Sequence, residues 1–273
     1  MNRALLLSLL ACTAVRADGD AVATYLANQG VLVESGDTAV LFDPLFDRDF
    51  GQFQLVPEEM QAALMAGDEP FDDVAAVFVS HYHSDHFSPA LMLEYLRRQP
   101  SVRLYAPMQA TNALREAAGD DLDVMTQVAG LALEHGDAPV TMQLGELRVS
   151  AIRLPHSGWP DRMADIENLA FRVTLDEQII VEHYGDADPN RQHFEVYPDY
   201  WTSSSPDFAM PPYWFFLSPE GRDIVADIIR PDQVVGTHAP VELPPYPATR
   251  TPEFQAFDVF RKPGERRDIA SAE

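Results

Sequence analysis

The sequence predicts an α/β protein with metal-type ligands standing at the ends of its strands. Three observations carry that expectation. Apolar strand-like runs alternate with helical spacings along most of the chain. Histidines follow three of those runs directly, at His81, His156 and His238. The first of these places is dense: Val79-Ser80-His81-Tyr82-His83-Ser84-Asp85-His86-Phe87 puts three imidazoles and a carboxylate within six residues.

In chain order, Val22 to Leu26, Val31 to Glu34 and Ala39 to Phe42 read as strands, the last two joined by a turn at Ser35-Gly36-Asp37. Asp43-Pro44 ends the third. Phe46 to Phe53 is aromatic and acidic without a period and reads as a loop over the site. Pro57 to Met65 has helical spacing. Val74 to Val79 is a buried strand ending at Ser80, and Ser88-Pro89 supplies an N-cap and a first-turn proline for a helix to Arg98. A strand at Val102 to Tyr105, a helix at Met108 to Ala118, and strands at Leu122 to Val128, Val140 to Leu144 and Leu147 to Leu154 follow. Asn168 to Leu175 and Ile179 to His183 form a hairpin around Asp176-Glu177.

Residues 194–217 are crowded with aromatic rings and broken by Pro198, Pro206, Pro211 and Pro212. They show no period and read as an ordered loop insertion, because so many rings would not stand in free solvent. Tyr200, Trp201, Tyr213 and Trp214 are its candidates for an apolar substrate wall or a membrane-facing lip; packing or a subunit interface is the other reading. Ser218 to Ile229 reads as a capped helix, Gln233 to Gly236 as a short strand ending at Thr237-His238, and Pro240 to Pro247 as a proline-rich loop. Glu253 to Phe260 closes the fold as a strand or helix, and 264–273 reads as a frayed, charged tail.

The dense motif has a chemical logic. Imidazole and carboxylate suit a borderline cation such as zinc. His81 and His83 lie two apart, so extended backbone points them the same way. Asp85 and His86 lie beyond a bend and face a second point, so one loop can serve two metals. His183, His135 and His193 read as packed or solvent-facing.

Composition narrows the class. With 273 residues, 46% of them hydrophobic, the chain can bury a sizeable core in one domain. A net charge of −24 and the absence of any basic run longer than the pairs Arg261-Lys262 and Arg266-Arg267 exclude a nucleic-acid groove. Residues 1–17 resemble a secretory leader: Arg3, an apolar stretch from Ala4 to Val15, and small residues before a cut after Ala17. That implies an exported, periplasmic or secreted protein, with residues 18–273 as the folded domain. Leu9-Leu10-Ala11-Cys12 also resembles a lipoprotein cleavage box, which would anchor the chain to a membrane. Cys12 is the only cysteine, so a chain cut after Ala17 has neither a disulfide nor a thiolate ligand.

The His-x-His-x-Asp-His run in a strand–loop–helix setting resembles the metallo-β-lactamase superfamily, and the likeness extends over nearly all of residues 18–273. It implies an αββα sandwich, two mixed β-sheets flanked by helices, with metals at one edge. It also implies the ligand set: His81, His83 and His156 for one divalent ion; Asp85, His86 and His238 for a second; Asp186 bridging, with Asp188 as the fallback; and Asp43 close behind the metals. The ions implied are zinc, with manganese or iron as alternatives, and a hydroxide held between them is the nucleophile, with Asp85 as a catalytic residue that orients the hydroxide or passes its proton to the leaving group. The family's β-lactamases usually have cysteine or serine where Asp186 stands, so the likeness points to an ester, lactone or phosphodiester, in a small-molecule or lipid-like substrate. The layout is most similar to the branch holding L-ascorbate-6-phosphate lactonase and N-acyl-phosphatidylethanolamine phospholipase D. A metal-binding protein without turnover, an iron-dependent redox relative and a β-lactam hydrolase are the other expectations kept.

Overall fold

The computed structural model describes residues 21–242 and 251–270. The expected leader and most of the proline-rich loop at 240–247 lie outside the described residues. Among the described residues no helix is long and apolar enough to cross a membrane.

The strands in chain order are β1 (Ala21–Ala27), β2 (Gly30–Ser35), β3 (Thr38–Phe42), β4 (Val74–Phe78), β5 (Arg103–Pro107), β6 (Val128–Leu131), β7 (Val140–Leu144), β8 (Leu147–Arg153), β9 (Leu169–Leu175), β10 (Ile179–His183), β11 (Phe208–Met210), β12 (Gln233–Val234) and β13 (Arg266–Ile269). The helices are α1 (Glu58–Ala66), α2 (Pro89–Arg98), α3 (Met108–Ala118), α4 (Arg191–Glu195), α5 (Pro198–Ser203), α6 (Pro219–Asp223), which runs on as a π-helical turn over Ile224–Ile229, and α7 (Pro252–Gln255).

Two mixed sheets result. The first has the order β13-β1-β2-β3-β4-β5-β6, the second β12-β11-β10-β9-β8-β7. The period-two alternation of the strands sorts their residues into layers. Val31, Val33, Val40 and Phe42 face inward and meet Phe171, Val173, Val181 and Phe208 of the second sheet. Leu32, Leu41 and Val77 face outward, onto Leu64 of α1, Met92 and Leu96 of α2 and Leu114 of α3. On the far side, Ile152 and Ala170 pack beneath Phe194, Trp201, Phe216 and Ile224. The four layers are the expected αββα sandwich.

Four expectations are corrected. Leu122 to Val128 is not one strand: Asp123–Gln127 is a 3-10 turn, and the strand begins at Val128. Apolar residues at 122, 124 and 128 imitate a strand period, but the turn buries Val124 and leaves Leu122 exposed, and the free edge of β5 is taken by β6. Residues 194–217 are not a loop insertion. They contain α4, α5 and a strand of the second sheet, β11, which pairs in parallel with β10 and β12. The segments are too short to display a period, and their rings, apart from Phe208 between the sheets, belong to the outer apolar layer. Residues 266–269 do not fray: β13 pairs antiparallel with β1 as a sheet edge. Its charges suit that place, with Arg267 on Asp258 at 2.6 Å and over the Phe260 ring. Lastly, Ser88 does not cap α2; its hydroxyl donates to Asp47 at 3.1 Å, and Pro89 alone starts the helix. Ser218 does cap α6, accepting from the Gly221 N–H at 3.0 Å.

Candidate metal centre

Strand direction decides where the histidines meet. β3 and β4 run parallel, so Asp43 and the His81–His86 loop leave the first sheet at one edge. β1 runs up and β2 back, which places the β1–β2 turn, Asn28-Gln29, at that same edge. In the second sheet β8 and β10 are both antiparallel to β9, so His156 and Asp186 emerge together. β11 and β12 run parallel to β10, and His238 follows.

All seven expected ligands converge. The ligand atoms of His81, His83, His156 and Asp186 lie within 4.8 Å of one another, as do those of Asp85, His86 and His238. His81 Nε2 stands 3.0 Å from His83 Nδ1, and His86 Nε2 stands 3.1 Å from His238 Nε2. Asp186 spans the two groups. Its Oδ2 faces His156 Nε2 at 3.4 Å and His81 Nε2 at 4.0 Å, while its Oδ1 is 3.3 Å from both His86 Nε2 and His238 Nε2. Asp85 Oδ2 is 3.4 Å from His238 Nε2. Asp188, the fallback, belongs to neither group and stands 3.8 Å from His193.

Asp43 orients both halves of the cluster. Its Oδ1 accepts from the Ser80 N–H at 2.7 Å, and its Oδ2 accepts from the Ser80 hydroxyl at 2.5 Å and from His86 Nδ1 at 2.9 Å. The donating Ser80 hydroxyl in turn accepts from His81 Nδ1 at 3.0 Å. Each imidazole therefore carries its proton on Nδ1 and presents Nε2 to the centre, the usual device for fixing a ligating histidine. Asp43 adopts a φ of +39° ahead of Pro44, so it is also the turn residue expected there. Gly185 is required by space: at φ +53°, a Cβ would lie 2.3 Å from Asn168 Oδ1 and 2.5 Å from Ser80 Cβ. The same Asn168 Oδ1 accepts the Asp186 N–H at 2.9 Å.

The β1–β2 turn contributes residues that sequence reasoning passes over. Asn28 Nδ2 donates to the Asp85 carbonyl at 2.9 Å, and the Asn28 carbonyl accepts the His238 N–H at 2.8 Å. Gln29 Nε2 donates to the Gly185 carbonyl at 2.7 Å and lies 3.3 Å from Asp186 Oδ1. Both side chains are fully buried. In the sequence they are two polar residues before a glycine, which signals a turn and nothing more.

The donor set fits divalent cations. Five imidazoles and two carboxylates point their acceptors inward, and His156 Nε2 is buried without a hydrogen-bond partner. Burial, helped by the neighbouring His86, pushes His81 well below its usual range, and burial with His156 lowers His83. Both are thereby kept neutral, as a ligand must be. Burial would also discharge His86, but Asp186 and Asp43 outweigh it and raise that imidazole well above its usual range. Burial likewise opposes the Asp186 charge, and His238 and His86 overcome it, holding the carboxyl well below the usual range. The carboxylates draw positive charge onto His86, and two divalent ions would supply that charge in its place.

Of the expected wall residues, Tyr200 and Trp201 are elsewhere. Trp201 Nε1 donates to the Phe194 carbonyl at 2.7 Å inside the outer layer. The Tyr200 ring lies 4.0 Å from the Arg172 guanidinium, which pairs with buried Glu182, beside a polar groove lined by Arg148 and Thr174. Trp214 is at the site, its ring 5.1 Å from His238, with Tyr213 against it at 5.7 Å. Phe53, from the loop expected to cover the site, meets His238 edge-on at 4.4 Å.

His183 is fully buried and stacks on Phe42 at 5.1 Å. His193 is buried beside Trp159, and burial, aided by His135, lowers its pKa to about 4. A depressed histidine stabilises the fold fully above its unfolded pKa of about 6.5, and that contribution is lost as the pH falls toward about 4. Metal-free wild-type protein is thus expected to lose on the order of 1–2 kcal/mol more than His193→Gln between neutral pH and pH of about 4.5, allowing for solvent screening. Urea unfolding of both proteins measures this; equal losses would contradict it. Asp188, raised to about 6 by burial and Glu220, acts in the opposite sense and stands 3.8 Å from His193, so both proteins are compared in an Asp188→Asn background.

Comparison with known proteins agrees with this architecture. Residues 38–196, more than half of the chain, match the family described as the beta-lactamase superfamily domain. No curated protein sequence matches the chain. Among solved structures, a possible metal-dependent hydrolase from Veillonella parvula DSM 2008 superposes with a TM-score of 0.61 at 13% identity, covering 92% of this chain and 99% of the other. Igni18, a metallo hydrolase from Ignicoccus hospitalis KIN4/I, gives 0.57 at 18% identity over 91% and 98%. CmlA, a diiron β-hydroxylase from Streptomyces venezuelae, gives 0.53 at 16% over 93% of this chain and 55% of its own. At these identities the structures share the fold. With the family match, the four layers and the ligand cluster together, the chain belongs to the metallo-β-lactamase superfamily.

Proposed function

We propose that the protein is a dinuclear metallohydrolase that cleaves an ester or lactone bearing an uncharged apolar group. The observation that supports this most is Asp186, with one oxygen toward His81 and His156 and the other toward His86 and His238. That arrangement suits two divalent ions a short distance apart, zinc first, with manganese and iron as alternatives. Held by these residues, such a pair would supply a hydroxide nucleophile at neutral pH and would polarise the scissile carbonyl.

The chain's own residues do the rest. Asp85 is held by Asn28 and faces His238. Burial opposes its charge, but His238 and His86 lower its pKa, so it stays ionised at working pH. This suits a ligand that orients the nucleophile better than a proton donor to the leaving group. Phe53 and Trp214 offer aromatic surface beside His238, and Tyr82, partly exposed, stands beside His83. An uncharged substrate arm suits those rings, and the acidic chain disfavours anions.

The test is hydrolysis by metal-reconstituted protein of an aryl ester, a lactone, a phosphodiester and a β-lactam side by side, with metal analysis. Ester or lactone turnover that disappears in Asp85→Ala and His156→Ala, both still folded, is the expected result. Turnover of the phosphodiester or β-lactam alone would overturn the substrate class. Two bound ions without any turnover would make the protein a binder, and stoichiometric iron with oxygen consumption would make it a redox enzyme. For the wall, Trp214→Ala should raise KM about tenfold for an aryl ester, equivalent to about 1.4 kcal/mol of lost contact, and leave a methyl ester unaffected. An equal effect on both esters would remove Trp214 from the wall.

A further inference from the structure

Gln29 stands in the β1–β2 turn, opposite three strand ends. Its amide can be oriented by chemistry alone. The Gly185 carbonyl at 2.7 Å and Asp186 Oδ1 at 3.3 Å only accept, so both must face Nε2. The Thr237 hydroxyl donates to Oε1 at 2.8 Å, which holds the amide in that sense. The turn itself has little freedom: a Cβ on Gly30 would lie 2.9 Å from the Ala27 carbonyl and 3.1 Å from that of Asp43. The Gln29 carbonyl accepts from His183 Nε2 at 3.1 Å, which ties the turn to β10.

Asp186 Oδ1 is the oxygen that faces His86 and His238. A carboxylate oxygen has two lone pairs in its plane. The Gln29 N–H takes one of them, which leaves one for the side of His86 and His238, each 3.3 Å from this oxygen. Asp186 Oδ2 has no such donor among its described contacts; it faces His156 and His81, with His83 in the same group. The two ends of the bridging carboxylate are therefore held differently.

We infer that Gln29 is a positioning residue that holds Asp186 Oδ1 in place, and so supports the ion held by Asp85, His86 and His238 in preference to the one held by His81, His83 and His156. The inference rests on the two-ion reading of the site. Without the Gln29 N–H, Oδ1 loses the donor that holds it, and a combined change of χ1 and χ2 can withdraw Oδ1 while Oδ2 stays against His156. Thr237 acts one step behind, by keeping the amide from flipping.

The experiment is zinc titration of the metal-free full chain against a competing chelator. Gln29→Met keeps length and volume and removes all three hydrogen bonds of the amide. In an Asp85→Ala background, where the His81 group holds the remaining ion, Gln29→Met should leave the affinity unchanged. In a His83→Ala background, where the other group holds it, the affinity should fall about 10–100-fold, the range for loss of a group that orients a ligand. Thr237→Val should weaken the same ion less, and should add little to Gln29→Met, because the two act through one hydrogen-bond chain. Equal weakening in both backgrounds, or none in either, would overturn the inference. If Gln29→Met does not fold, Thr237→Val in the two backgrounds decides by the same criterion. The two failures are distinguishable: a wild-type chain that binds fewer than two ions defeats the two-ion reading, whereas two ions with an indifferent Gln29→Met defeat the inference alone.

Discussion

Asp186→Asn is expected to remain folded, to retain at most one tightly bound divalent ion, and to hydrolyse its substrate about 10³-fold more slowly. Both carboxylate oxygens are committed, one to each ligand group. An amide keeps one oxygen and turns an NH2 toward the other group, so one ion loses its bridge. The substitution also removes the negative charge that faces His81, His86, His156 and His238. Losing one ion takes away several kcal/mol of transition-state stabilisation, which is about three powers of ten in rate. The fold should survive, because the Asp186 main chain is anchored by Asn168 and its side chain supports no apolar packing. Metal analysis and initial rates measure both effects. Two tightly bound ions with a rate within tenfold of wild type would refute the bridging role. Asp188→Asn, two residues on, is the matched control and should change the metal content little, since Asp188 belongs to neither ligand group.

Asp43→Ala is expected to cost about 3–5 kcal/mol of stability in the metal-free protein, the range for breaking a buried charge interaction by removing one partner. Asp43 is fully buried and accepts from three donors: the Ser80 N–H, the Ser80 hydroxyl and His86 Nδ1. Removing it leaves all three unsatisfied and withdraws a carboxylate that keeps His86 charged. Both ligand groups should suffer, because His86 loses the partner that fixes its proton and the Ser80 hydroxyl that orients His81 loses its own acceptor. Asp43→Asn should fall between: its oxygen can serve the Ser80 N–H, but its NH2 then faces two donors. Urea unfolding in the presence of a chelator, followed by zinc titration, tests the pair. A loss below 1 kcal/mol, on a scale where ordinary surface substitutions stay within about 0.5, would reduce Asp43 to a turn residue.

The site was legible to the extent that its residues announce themselves locally. His81, His83, Asp85 and His86 fall in one loop, and an apolar run ahead of them marks the strand end. His156, Asp186 and His238 are single residues, and only their positions after strands, together with the family likeness, assigned them. Asn28 and Gln29 were not legible, because their roles arise from partners 57 to 208 positions away. Tyr200 and Trp201 show the opposite failure. Their composition suggested a wall, yet a ring's surroundings depend on which layer its strand or helix joins. β11 made the same point at the level of the fold: Phe208-Ala209-Met210 is too short to show a period, and its place between β10 and β12 comes from pairing alone.

The sequence by itself determined the chemistry of the ligands, the strand–loop–helix setting of the first group, most of the element boundaries and the buried or exposed sense of the long strands. These are properties of neighbouring residues, set by the spacing of apolar side chains and the donor types at each turn. The tertiary structure alone decided that seven candidate ligands from four strand ends meet at one edge, that Asp43 orders the protons of His81 and His86, and that Gln29 grips one oxygen of Asp186. Those contacts are set by strand direction and register, and hydrogen bonds between distant segments leave no period or spacing in the chain that makes them.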